Sequence, residues 1–138
     1  SFDFDSTLDN LIVQKYAKFL VESGADVHIV TSRFDAIHKY TEEFKKHYGI
    51  TNIVQQHKYL YEVADKVGIP EKNIHYTNML PKYFFFQDRP EFLWHLDDDE
   101  IELEDINRYT KTKGISVFGN WERKCNKLID IWKFNNSK

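Results

Sequence analysis

Asp3 and Asp5 stand two residues apart between phenylalanines, in Ser1-Phe2-Asp3-Phe4-Asp5-Ser6-Thr7, with a hydroxyl pair directly behind. Side chains alternate along a strand. A strand ending at Asp5 therefore sends both carboxylates to one face and Phe2 and Phe4 to the other. Paired carboxylates followed by a turn can hold a divalent cation and can do acid–base or nucleophilic chemistry. Taken alone, such a pair reads more readily as a solvated acidic strand end. Further polar residues recur downstream: Thr31, Ser32 and Arg33, then Lys82, then Asp97, Asp98 and Asp99.

The elements that must position them follow from periodicity. Helical patterns run over residues 9–23, 35–48, 53–67 and 100–113, and over about 120–134, with a short one at 83–88. Gly24, Gly49 and Gly114 read as helix stops. Strand candidates are residues 2–5, 27–30, 73–77, 92–96 and 115–118. The fourth is a continuous apolar run of the kind buried on both faces. Strand alternating with helix in this way predicts an α/β fold with a five-stranded, mostly parallel sheet and right-handed crossovers. In such folds the working site lies beyond the carboxyl ends of the strands. Every polar residue named above falls on that edge.

Composition narrows the classes. With 138 residues, 41% hydrophobic and 16% aromatic, the chain is expected to form a single domain over residues 1–138 with a sizeable core. A net charge of −3 argues against general nucleic-acid or anionic-membrane binding. No apolar run approaches the ~20 residues of a membrane span, and no membrane partner is expected. One cysteine, Cys125, fits a reducing, cytoplasmic setting. It lies on the apolar face of the last helix, with Trp121, Leu128, Ile129 and Trp132. His28 and His95 lie inside strands and read as packed side chains. The chain opens almost on the first motif, leaving two residues ahead of it where a strand needs ~5; a longer first strand is expected.

The order DFDST, VHIVTSR, a lysine, then HLDDD resembles the haloacid dehalogenase-like (HAD) superfamily of phosphotransferases, over nearly the whole core layout. The resemblance implies a three-layer Rossmann-like fold with strand one central and strand four beside it. It implies that Asp3 is a nucleophile forming an aspartyl-phosphate and that Asp5 is the acid/base. An acid at that second position is what the family's phosphatases carry. Mg²⁺ is the implied cofactor, held by Asp3, the Asp5 backbone carbonyl, Asp97 and Asp98, with Asp99 in reserve or capping the next helix.

By the same resemblance Thr31, or Ser32 as runner-up, binds phosphate oxygens. Arg33 resembles the arginine that supports the phosphate site in polynucleotide 3′-phosphatase domains; read on its own it serves equally as the ion-pair partner of a nearby acid. Lys82, rather than Lys66 or Lys72, neutralises the aspartate and phosphoryl charge. Only residues 8–10 separate the first motif from its helix, so no separate cap domain is expected. An open site admits a small metabolite, a nucleotide or a macromolecular end, with a homo-oligomeric neighbour as a possible lid. The expected function is Mg²⁺-dependent phosphate-monoester hydrolysis; the alternative is a non-catalytic HAD-like binding or regulatory module. Response-regulator receivers use the same residue types in another order, with the phosphoacceptor after strand three.

Overall fold

The computed structural model describes residues 1–35 and 53–137. In chain order they form α1 (Leu11–Glu22), β1 (Ile29–Thr31), α2 (Ile53–Val67), β2 (Ile74–Tyr76), α3 (Tyr83–Gln87), β3 (Trp94–Asp97), α4 (Glu100–Tyr109), β4 (Lys113–Ser116) and α5 (Trp121–Asn136). The helix expected over residues 35–48 lies, Asp35 apart, outside the described residues. Among the described residues no helix is long and apolar enough to cross a membrane.

The five-stranded sheet is not formed, and the Rossmann-like HAD fold built on it is overturned. The strands pair as two parallel two-stranded ladders, β1 with β2 and β3 with β4. The opening segment was expected to be the central strand. It contributes only single bridges, from Phe2 to Ile29 and to Leu96. Past Asp3, which is still extended, the backbone leaves the strand direction: Phe4–Leu8 coils into a wide turn in which Ser6 takes a left-handed φ of 60°. One paired residue on each side does not make a strand.

Side-chain packing, with the backbone hydrogen bonds of Ser1, Phe2 and Asp3, holds the two ladders together. Phe2 is fully buried, edge-on to Trp94 at 5.2 Å and to Tyr16 at 6.4 Å. It joins a cluster of Ile29, Ile74, Leu96 and Ile115 from the strands with Ala17 of α1, Leu60 of α2 and Cys125 of α5. Burying each large side chain contributes about 1.5–3 kcal/mol relative to exposure. Val30 points the other way, into a smaller cluster with Phe86 of α3 and Ile106 of α4. The period-2 alternation of Ile29 and Val30 thus places helices on both faces of the strands.

Local signals set the ends of the elements. Asn10 Oδ1 caps α1 by accepting from Ile12 N at 2.8 Å. Gly24, at φ +88°, closes the same helix while Ala25 N donates back to Leu20 O. The last strand departs from expectation. Gly114 is no helix stop but sits inside β4, which begins at Lys113 and pairs in register with Trp94. The helix ends earlier, at Tyr109, because Thr110 and Thr112 turn the chain: Thr110 Oγ1 donates to Ile106 O and Thr112 Oγ1 to Phe92 O. Asn107 then brackets Gly114, accepting from its N–H at 2.9 Å and donating to its carbonyl. Trp132, expected on the apolar face of α5, is 49% exposed, whereas Cys125 is buried as its position suggests.

Candidate functional site

Three chain segments meet at the C-terminal ends of β1 and β3. The alternation that buries Leu96 against the large cluster turns Asp97 the other way, and Asp97 is the last residue of β3. Asp3 lies alongside, because its N–H donates to Leu96 O at 2.8 Å. Lys82 arrives from the turn before α3, its own N–H fixed to Glu102 Oε2 of α4 at 2.9 Å. Its ammonium lies 2.8 Å from Asp3 Oδ1 and 2.6 Å from Asp97 Oδ2. The three side chains are 7%, 3% and 1% exposed for Asp3, Lys82 and Asp97, so these charges face one another with little screening.

Asp98 completes the group. Carboxylate oxygens of Asp3, Asp97 and Asp98 lie within 4.8 Å of one another. Asp99 does not join them: its Oδ1 accepts from Ile101 N and Glu102 N and caps α4, while its own N–H donates to Asp97 Oδ1 at 3.1 Å. Its reserve role as a ligand therefore gives way to the cap.

Burial and the charge count set the protonation of this group. Burial opposes the charge on Lys82, but Asp3 and Asp97 outweigh it and hold the ammonium above its ordinary range. Burial likewise opposes ionisation of Asp97, and is outweighed by the hydrogen bond from His95 and by Lys82, so Asp97 stays well below the usual carboxylate range. His95 is itself pushed down to about 4 by burial. It is neutral near pH 7, and Lys82 supplies the positive charge. One ammonium balances one buried carboxylate, and Asp3 is the one left over. Burial, then Asp97 and Asp98, push its pKa up, against Lys82.

Hard oxygen donors with an excess of negative charge fit a hard divalent cation such as Mg²⁺. Such an ion would return Asp3 to its ionised form.

Asp5 behaves differently from Asp3. Its carboxylate is outside the three-aspartate group and forms a two-pronged pair with Arg33, Nε to Oδ2 at 2.9 Å and Nη2 to Oδ1 at 2.7 Å. The left-handed Ser6 turns the chain at that point. The strand alternation that was to place both carboxylates on one face does not extend that far. Arg33 also lies over the Phe4 ring, 5.0 Å from its centroid. Thr31 is fully buried at the end of β1, its Oγ1 accepting from Arg33 N at 3.3 Å, a bond that leaves its own proton uncommitted. Ser32 is half-buried, its carbonyl accepting from Met79 N. Lys66 bonds Gln14 at 3.0 Å instead of approaching the aspartates, and Lys72 is exposed in the turn before β2.

Two histidines support the site without having been singled out for it. His95 Nε2–H donates to Asp97 Oδ2 at 2.8 Å, while Nδ1 accepts from Ser1 Oγ at 2.9 Å. Residues two apart on one strand share a face, so the His95–Asp97 spacing carried this signal. His57, on α2, donates from Nε2 to Phe34 O at 2.6 Å, and its Nδ1 faces Arg33 Nη1 at 3.4 Å. Burial lowers its pKa, which suits the neutral ring this arrangement needs. Nothing in the local sequence marks His57; only the docking of α2 brings it there. No family model matches the chain, and no curated protein matches it.

Proposed function

We propose that this chain hydrolyses a phosphate monoester through a covalent phosphate on Asp3, as a Mg²⁺-dependent phosphatase resembling the HAD superfamily in its motifs. The reading rests on one observation: the buried Lys82 ammonium bonded to both Asp3 and Asp97, with Asp98 alongside. It rests on that cluster and not on the sheet. Asp3, Asp97, Asp98 and the Asp5 carbonyl would hold Mg²⁺, which supplies the positive charge that lets a carboxylate meet a phosphate dianion.

Asp3 attacks phosphorus, and the bond from phosphorus to the ester oxygen breaks. Asp5 gives the departing alkoxide a proton, then takes one from the water that splits the acyl phosphate, returning Asp3 as carboxylate and releasing phosphate. Lys82 balances the charge on Asp3 and on the phosphoryl oxygens throughout. The hydroxyl of Thr31 and the backbone after it receive phosphate oxygens. Before any of this Asp5 must let go of Arg33 and take up a proton, since a carboxylate accepting both Arg33 bonds has none to give. A cytoplasmic setting belongs to the same reading, supported by a single, buried, free thiol at Cys125.

The test is trapping with labelled aryl phosphate. Asp3→Asn should abolish turnover and labelling while the fold survives. Asp5→Asn should lose about 10²–10⁴-fold in turnover and accumulate label, since an activated leaving group needs its acid less than the acyl phosphate needs its base. Label on a residue other than Asp3, or an active Asp3→Asn protein, overturns the assignment.

A further inference from the structure

The Arg33–Asp5 pair stands apart from the buried cluster. The Arg33 side chain is 23% exposed and that of Asp5 54%, against 7% or less for Asp3, Lys82 and Asp97. It therefore forms the rim of the same site. Asp5 belongs to the opening segment and Arg33 to the loop after β1, so this contact joins two segments that are far apart in sequence. The guanidinium is held from several sides. Phe4 lies against its face, His57 meets Nη1, and His57 is itself anchored to Phe34 O. Beneath it, the loop of Ser32 and Arg33 is tied to the one after β2: Asn78 N donates to Arg33 O and Met79 N to Ser32 O. Asn78 and Met79 carry positive φ of 54° and 63°.

A planar fork kept in place by its surroundings is a receptor for a planar or tetrahedral anion. Asp5 is an anion it now holds, and the more exposed partner of the two.

We propose that Arg33, oriented by His57, is the receptor for a second anionic group of the substrate, and that the Asp5 carboxylate is a stand-in which that group displaces. The inference rests on the phosphatase reading for the identity of the first group. It adds a substrate class: phosphate monoesters carrying another phosphate or carboxylate near the ester. Exchange of one anion for another leaves the bonding of Arg33 nearly unchanged and frees Asp5 for the leaving oxygen. A substrate without the second anion leaves Asp5 in the pair, or breaks the pair with nothing in return. Arrival of the right substrate and release of the acid/base are thereby one event.

The test is a binding measurement independent of turnover. Alkylphosphonates of increasing length, each with and without a terminal carboxylate, cannot be hydrolysed and can be titrated calorimetrically into the protein in excess Mg²⁺. At the length that spans the two positions, the carboxylated probe should bind about tenfold more tightly, the scale of a charge-assisted pair net of the one it replaces. Arg33→Gln should abolish that preference. Asp5→Asn should enlarge it, because the competitor is gone; a merely structural ion pair predicts no such gain. Equal affinities at every length, a preference that survives Arg33→Gln, or one that shrinks in Asp5→Asn overturns the inference. Failure of the phosphatase reading shows elsewhere, as absent turnover both of aryl phosphate and of phosphate monoesters that carry the second anion, with the binding preference intact.

Discussion

Lys82 Nζ lies between two buried carboxylates, 2.8 Å from Asp3 Oδ1 and 2.6 Å from Asp97 Oδ2. Removing one partner of such an arrangement leaves uncompensated buried charge, at a cost of about 3–5 kcal/mol. Lys82→Met should be destabilised on that scale in urea melts without divalent cations. Added Mg²⁺ should recover part of the loss, since it replaces the missing positive charge. A variant as stable as the parent would show that the ammonium does not hold this cluster together.

The acidic run after β3 divides between two roles, and substitution should separate them. Mg²⁺ at a hundred times its dissociation constant should raise the stability of the parent protein by about 2.7 kcal/mol. Asp98→Asn should weaken that response. Asp99→Asn should leave it alone, because an asparagine caps α4 as well as an aspartate, whereas Asp99→Ala should cost about 0.5–2 kcal/mol with or without the ion. Thermal melts across a Mg²⁺ titration check all three. Equal responses from Asp98→Asn and the parent would remove Asp98 from the ligand set.

Away from the site, His28 and His75 stack at 5.1 Å with Nδ1 of the first 2.9 Å from Nε2 of the second. Burial lowers the pKa of His28 too; in the neutral pair His28 Nε2–H donates to Asp26 and its Nδ1 accepts from His75. Burial, then the neighbouring His28, push the pKa of His75 from 6.5 down to about 4. Between those values the unfolded chain binds a proton that the folded chain refuses. The contribution is therefore complete above pH 6.5 and is lost as the pH falls towards 4. His75→Phe should flatten the decline of the urea midpoint across that window; an unchanged slope would show that the pair does not titrate with folding.

Gly114 tests the packing of α4 on β4. A Cβ there would come within 2.9 Å of the Leu103 carbonyl oxygen and 3.0 Å of Leu103 Cδ2. A backbone oxygen cannot rotate away as a side chain can. Gly114→Ala should cost about 1–3 kcal/mol, read as a lower denaturation midpoint. A neutral substitution would mean that α4 can slide on the strand.

The sequence by itself determined which polar residues gather at one edge of the strands and where most elements lie. The strand runs around Ile29, Ile74 and Leu96 were legible because alternation and β-branched residues are local signals. So was the convergence of Asp3, Lys82, Asp97 and Asp98, since residues that follow parallel strands share one edge. Gly114 misled because a glycine after a helical pattern also suits a strand pressed against a helix. The sharing of labour among the acids was decided by tertiary structure: Asp3 to Lys82, Asp5 to Arg33 and Asp99 to the α4 cap all depend on where the chain turns at Ser6 and where α2 and α4 dock. Tertiary structure also decided that Phe2 joins the two ladders by packing and by single bridges. Strand pairing and buried charge depend on partners well outside the local sequence, 15 residues away for Lys82 and Asp97 and 79 for Lys82 and Asp3, and no local pattern encodes that distance.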